Sequence, residues 1–308
     1  MSLTEGREKK VTMRNPAIDF HGHVFLEHTA PVGGAQPYCT PDDLLRIYDR
    51  LGIEKGCICP EVVPEVGMFT QSNEEVLEVC RRHPDRFVPF CNVDPRNAYN
   101  SASADLAWAL EYYRGKGCVG LGEVQANLRI GDERVRNLFA AAERNGLPLV
   151  FHLSPFPGRG YGLVDDKGLP GLERALKDFP KLKFVGHSQA FWCEIGEYEG
   201  QDPRFGYPKG PVKEGRIAQL MRRYPNLCAE LSSGSGLNAL ERDRAYAAKF
   251  LTEFADRLFF AMDICSPTGW ISTLPSLLDD MLAKGEISEA TYLKIVRGNA
   301  EKVLEVAA

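Results

Sequence analysis

The chain has 308 residues, 44% hydrophobic and 26% charged, with 29 glycines and 20 prolines. Those proportions exclude the disordered, collagenous and low-complexity classes. Lys plus Arg number 37 against 42 Asp plus Glu, a formal charge of -5 with no basic stripe, which argues against a nucleic-acid partner.

The first fifteen residues are polar and charged, without the apolar centre of a signal peptide, and no run of ~18 apolar residues follows that could span a membrane. We therefore expect a loose arm over 1–15, one domain over 16–308, and a cytoplasmic protein. Short apolar runs then recur: Ala17–Phe20, Gly56–Cys59, Phe87–Val93, Cys118–Val124, Leu149–Leu153, Lys183–Gly186, Leu227–Leu231 and Leu258–Met262. Several are apolar almost throughout, as parallel strands covered on both faces are.

Helical patterns fill the intervals. Thr40-Pro41-Asp42-Asp43 opens one with an N-cap, a proline in the first turn and an acid three residues on, and Gly52 closes it. Ser72 to Glu75 is a capping box. From Asp132 to Asn145, Val135, Leu138, Phe139 and Ala142 fall on one helical face, and Gly146 stops the helix. A last helix starts near Ser288. Eight strands alternating with about eight helices predict a closed (β/α)8 barrel. An open doubly wound sheet is the second choice, because its glycine-rich phosphate turn is absent after the first strand.

The histidines and strand-end carboxylates carry the chemistry. His21 and His23 flank Gly22 after the first strand, and residues two apart on a strand face the same way. Glu123, His152, His187 and Asp263 end the fourth, fifth, sixth and eighth strands. All six sit on the face where barrel active sites are assembled, and four imidazoles with two carboxylates suit zinc or another first-row divalent ion. His28 and His83 fall outside this set; His83 is expected to be structural and His28 structural or pocket-lining, and Cys57 and Cys59 read as small buried hydrophobes.

With these residues in view, the chain resembles the amidohydrolase superfamily, in its amidohydrolase-related branch, from His21-Gly22-His23 to Arg297-Gly298-Asn299-Ala300. The resemblance implies a metal-dependent TIM barrel with one or two divalent ions, zinc first and manganese second, and a metal-activated water. By the same comparison, His21, His23 and His152 are ligands, His187 is a second-ion ligand or catalytic histidine, and Asp263 is a ligand that accepts a proton. Many relatives bridge two ions with a carboxylated lysine on the fourth strand. Here Glu123 stands there, as a bridge of the TatD kind or outside a single-ion site.

The expected activity is hydrolysis of an amide, lactone or ester in a small molecule. The first alternative is a decarboxylase or hydratase acting on an aromatic or unsaturated acid. That branch tends to carry a glycine-rich run after the sixth-strand histidine, where this chain has His187-Ser188-Gln189-Ala190. A nuclease and a non-catalytic binding barrel rank below these. Arg159 and Arg216, near the long segments 154–167 and 188–212, are candidate carboxylate anchors, and Trp192 and Tyr207 in the second segment are candidate substrate contacts. The resemblance also implies a dimer or larger assembly.

Overall fold

The computed structural model describes residues 13–30, 36–66, 69–158, 160–200 and 202–307. Residues 1–12 of the expected arm lie outside these, as does Arg159. At the arm's end, the Met13 amide donates to the Leu51 carbonyl at 2.8 Å, and the Arg14 amide donates to Asp279.

Among the described residues, nine parallel strands form: β1 Ala17–Gly22, β2 Ile53–Ile58, β3 Phe87–Pro89, β4 Leu121–Val124, β5 Leu149–Ser154, β6 Leu163–Val164, β7 Phe184–His187, β8 Leu227–Glu230 and β9 Leu258–Phe259. They pair as β1-β2-β3 and as β4-β5-β7-β8-β9, with β6 added beside the end of β5. Two seams close the ring. Cys91 bridges to Leu121, and Gly22 bridges to Ile264. The Phe20 amide donates to Phe260, and the Asp263 amide to His21, at 3.0 and 2.8 Å. Eight strands without β6 therefore make the (β/α)8 barrel that the alternation predicts.

The third and eighth strands are shorter than the apolar runs around them. Burial alone keeps a residue apolar, so the pattern runs past the point where ladder pairing stops. Strand β6, inside a segment that reads as loop, is two residues long and too short to show a period.

Two apolar layers hold the ring. Inside it, Ile18, Phe20, Cys57, Cys59, Val150, Val185 and Phe259 fill the barrel, with Phe20 stacked on Phe259 at 4.1 Å. A larger layer packs helices onto the outer face, as Leu44, Ile47 and Tyr48 of the helix Pro41–Leu51 do. That helix opens on a full capping box of Thr40 and Asp43, whereas the capping box predicted at Ser72–Glu75 is half formed: Ser72 accepts the Glu75 amide, but the Glu75 carboxylate accepts the Leu26 amide instead. Cys57 and Cys59 are buried in the interior layer, and His83 caps its helix end beside Phe87. All nine cysteines are free.

Gly186 shows how tightly the ring and the helices fit beside the site. A Cβ there would lie 2.2 Å from Phe191, whose ring is fully buried against Phe151 and Trp192. Gly186→Ala is therefore expected to lower unfolding free energy by about 1–3 kcal/mol through overpacking, read from the urea midpoint at constant m. An unchanged midpoint would mean that Phe191 repacks freely.

Candidate metal centre

Strand geometry aims most of the site directly. On β5, β7 and β8, Val150, Val185 and Cys228 face the barrel interior, and residues two further on, His152, His187 and Glu230, face the same side at the strand ends. Strand β1 breaks the rule. Phe20 is interior, yet the adjacent His21 also turns inward, and the β1–β2 register shifts between Asp19 and Gly22. Such an irregularity re-aims side chains. Asp19 braces it from behind, accepting from the His21 and Met262 amides and from Tyr48 Oη at 3.0, 2.9 and 2.7 Å. Burial pushes the Asp19 carboxyl up to about 7. Gly22 lets the chain pass close here: a Cβ would lie 3.0 Å from Tyr48 Oη, which would have to give by a few tenths of an ångström.

All six predicted side chains converge. His21 Nε2 and His23 Nε2 lie 2.9 Å apart. Glu123 divides its carboxylate between two histidine pairs. Its Oε1 is 2.8 Å from His152 Nδ1 and 3.2 Å from His187 Nε2, while Oε2 is 3.6 Å from His21 Nε2 and 3.9 Å from His23 Nε2. Asp263 spans the same gap, with Oδ1 3.5 Å from His23 and Oδ2 3.8 Å from His187.

A seventh member is Glu230, fully buried at the end of β8. Its Oε1 lies 3.1 Å from His21 Nδ1 and 2.6 Å from His187 Nδ1, and its Oε2 accepts the Ser232 amide at 2.7 Å. Sequence reasoning passed over it as part of the apolar strand Leu227–Leu231. The available signal was one carboxylate at the end of an otherwise apolar strand, the feature that marks Glu123 and Asp263.

The donor set fits divalent ions. His21 Nδ1 faces Glu230, and His23 Nδ1 faces the Cys59 carbonyl at 3.0 Å, so each Nδ1 carries the proton. In the neutral rings the two facing Nε2 atoms are then both lone pairs, and only a proton or a metal cation can reconcile them. Buried Glu123 and Glu230, with partly exposed Asp263 beside them, add negative charge that needs the same compensation. Burial alone would lower the imidazole pKa values, but Glu123 and Asp263 lift His21 well above the usual range, and Glu230 and Glu123 lift His187 to about 10. Burial likewise opposes ionisation of Asp263, but its histidine neighbours hold the carboxyl below the usual range.

A cavity of about 290 Å³ opens above the cluster, with His152, His187 and Asp263 at its base and Tyr161, Phe205 and Tyr207 on its wall. Tyr161 lies over the His152 ring at 4.3 Å. Tyr207 is thus where the sequence places it, and Trp192 is not. Trp192 is 2% exposed in the short helix Gln189–Cys193 and donates its indole N–H to the Glu230 carbonyl. Arg216 is also no anchor in the mouth, because it pairs with Glu173 and donates to the Gly168 carbonyl on the outer helices. His28 is structural, held by Asp43 at 2.6 Å.

A family model described as amidohydrolase matches residues 18–306. No curated protein matches the chain. Among solved structures, an uncharacterized TIM-barrel protein from Bordetella bronchiseptica is 21% identical over 86% of this chain and 82% of its own, with a TM-score of 0.58. A 5-carboxyvanillate decarboxylase from Novosphingobium aromaticivorans, with bound manganese, is 16% identical over 95% and 97%, with a TM-score of 0.59. A probable 2-pyrone-4,6-dicarboxylic acid hydrolase from Acinetobacter baumannii is 14% identical over 94% and 99%, with a TM-score of 0.54. At these identities the shared property is the barrel. Among the described residues, no helix is long and apolar enough to cross a membrane.

Proposed function

The chain belongs to the amidohydrolase family, and from that membership we propose a hydrolase with two divalent ions that cleaves an amide, ester or lactone of a small organic molecule. One observation carries the reading: each oxygen of Glu123 faces a different histidine pair, the arrangement of a bridging carboxylate. His21, His23 and Glu123 Oε2 would hold one ion, and His152, His187 and Glu123 Oε1 the other, with Asp263 between them. Four imidazoles without a thiolate suit zinc, and manganese fits the carboxylates. Such ions supply Lewis acidity, polarising a carbonyl and bringing the pKa of water towards ~7.

The chain's own residues do the rest. Ionised Asp263 accepts the proton of the attacking water and returns it to the leaving nitrogen or oxygen. Glu230 fixes the rings of His21 and His187 through their Nδ1 atoms. Tyr161, Phe205 and Tyr207 hold the apolar part of the substrate and exclude water. The nine free cysteines suit a cytoplasmic location.

The aromatic wall also favours a second reading, decarboxylation of an aromatic acid. Metal analysis and a substrate panel test both. We expect two ions per chain, loss of activity on chelation with recovery on Zn2+ or Mn2+, and turnover of esters, anilides or lactones. One ion per chain with carbon dioxide released from aromatic acids, and no hydrolysis, would overturn the hydrolase.

A further inference from the structure

Beside His23, past the end of β2, the structure carries an imbalance that the hydrolytic steps do not use. Glu61, 4% exposed, accepts from Tyr38 Oη at 3.0 Å through Oε1, while Oε2 meets no donor among the described residues. Gln71 and Gln125 are buried as well, and each leaves its Oε1 without a donor. The amide orientations are fixed. Gln71 Nε2 faces the Val24 carbonyl at 2.6 Å and Gln125 Nε2 faces Glu123 Oε2 at 2.6 Å, and neither partner can donate. The orphans are therefore oxygens, all three wanting N–H or O–H groups.

Their placement ties them to the centre. The Gln71 backbone N–H donates to the Glu61 backbone carbonyl at 2.8 Å, and Glu61 Oε1 is 3.4 Å from His23 Nδ1. Glu61, His23 and Cys265 bring ligand atoms within 4.8 Å of one another, and Cys265 Sγ lies 3.5 Å from Asp263 Oδ1 at the cavity base. Glu61 is thus one side chain away from the proposed proton acceptor. A buried carboxylate oxygen without a donor is costly, and a cationic N–H donor offsets that cost better than a neutral group does.

We infer that Glu61 is a docking point for a cationic nitrogen, so that the substrate carries an ammonium or guanidinium group beside its cleaved bond. The hydrolase reading is needed only to call the bound molecule a substrate. The selectivity for charge is a property of Glu61 that binding measures without turnover.

Benzylamine, protonated at pH 7, and benzyl alcohol share a shape and differ in charge, and calorimetric titration of the metal-loaded protein compares them. The amine is expected to bind at least about 10-fold tighter, and in Glu61→Gln the two affinities should converge to within about 2-fold. Equal affinities in the wild type, binding of neither probe, or a preference that survives Glu61→Gln would overturn the inference. The last result would assign the amine to the metal. If Glu61→Gln does not fold, Tyr38→Phe decides: it frees Oε1 from its donor, so a stronger amine preference supports the inference and an unchanged or weaker one overturns it. Amine preference without hydrolysis would leave this inference standing and remove the hydrolase, and hydrolysis without amine preference would do the reverse.

Discussion

Turnover by an Asp263→Asn variant is expected to fall by about 10²–10⁴-fold, the contribution of a positioned proton acceptor, with metal content unchanged. The substitution is chosen to leave everything else in place. Asp263 has φ 52°, in the left-handed region that asparagine tolerates and most side chains do not. Its amide still donates to the His21 carbonyl at 2.8 Å, so the seam between the end of β9 and β1 stays closed. An amide oxygen would still be on offer to bound ions, but it cannot take the proton of water. The check is kcat at saturating metal beside metal analysis of the same sample. Wild-type turnover in this variant would remove Asp263 from proton transfer, whatever the substrate.

The centre was legible in the sequence wherever a strand ended on a polar residue after an apolar run. His152, His187 and Asp263 needed only the two-residue period and the rule that barrel sites gather at carboxyl ends. His21 and His23 were found by the same period, although β1 reaches its aim through a register shift that no pattern announces. The proposed role of Glu123 as a bridge depends on which oxygen meets which ring, a matter of distances set only by closure of the barrel.

What the sequence hid has physical causes. Trp192 lies in a segment that reads as an aromatic lid, but Ser188 accepts the Phe191 amide, winds a short helix and turns the indole inward onto the back of β8. Arg216 follows a long loop in sequence, yet its helix packs on the outside, where Glu173 meets it. Glu61 comes three residues after β2 ends, and its position beside His23 is a contact between separate loops. Nothing local encodes such a contact.

A Glu230→Gln variant is expected to bind metal about 10–100-fold more weakly, the usual effect of losing a partner that orients ligating histidines, and to regain most of its activity at saturating metal. One carboxylate oxygen faces the Nδ1 atoms of both His21 and His187, at 3.1 and 2.6 Å. A neutral amide oxygen can accept both N–H groups only weakly, and the amide's NH2 would face the Ser232 amide, which now donates to Oε2 at 2.7 Å. Two donors cannot satisfy each other, so the side chain must move or leave the Ser232 N–H unpaired, and the two rings lose their common brace. This signature differs in kind from that of Asp263→Asn. There excess metal restores nothing, because the missing group is the proton acceptor; here excess metal restores the rate, because the fault lies in holding the ions. Competition against a chelator of known affinity measures the shift. If Glu230→Gln matches the wild type in metal affinity, the orientation of the two rings comes from strand packing alone, and the carboxylate serves only to balance charge.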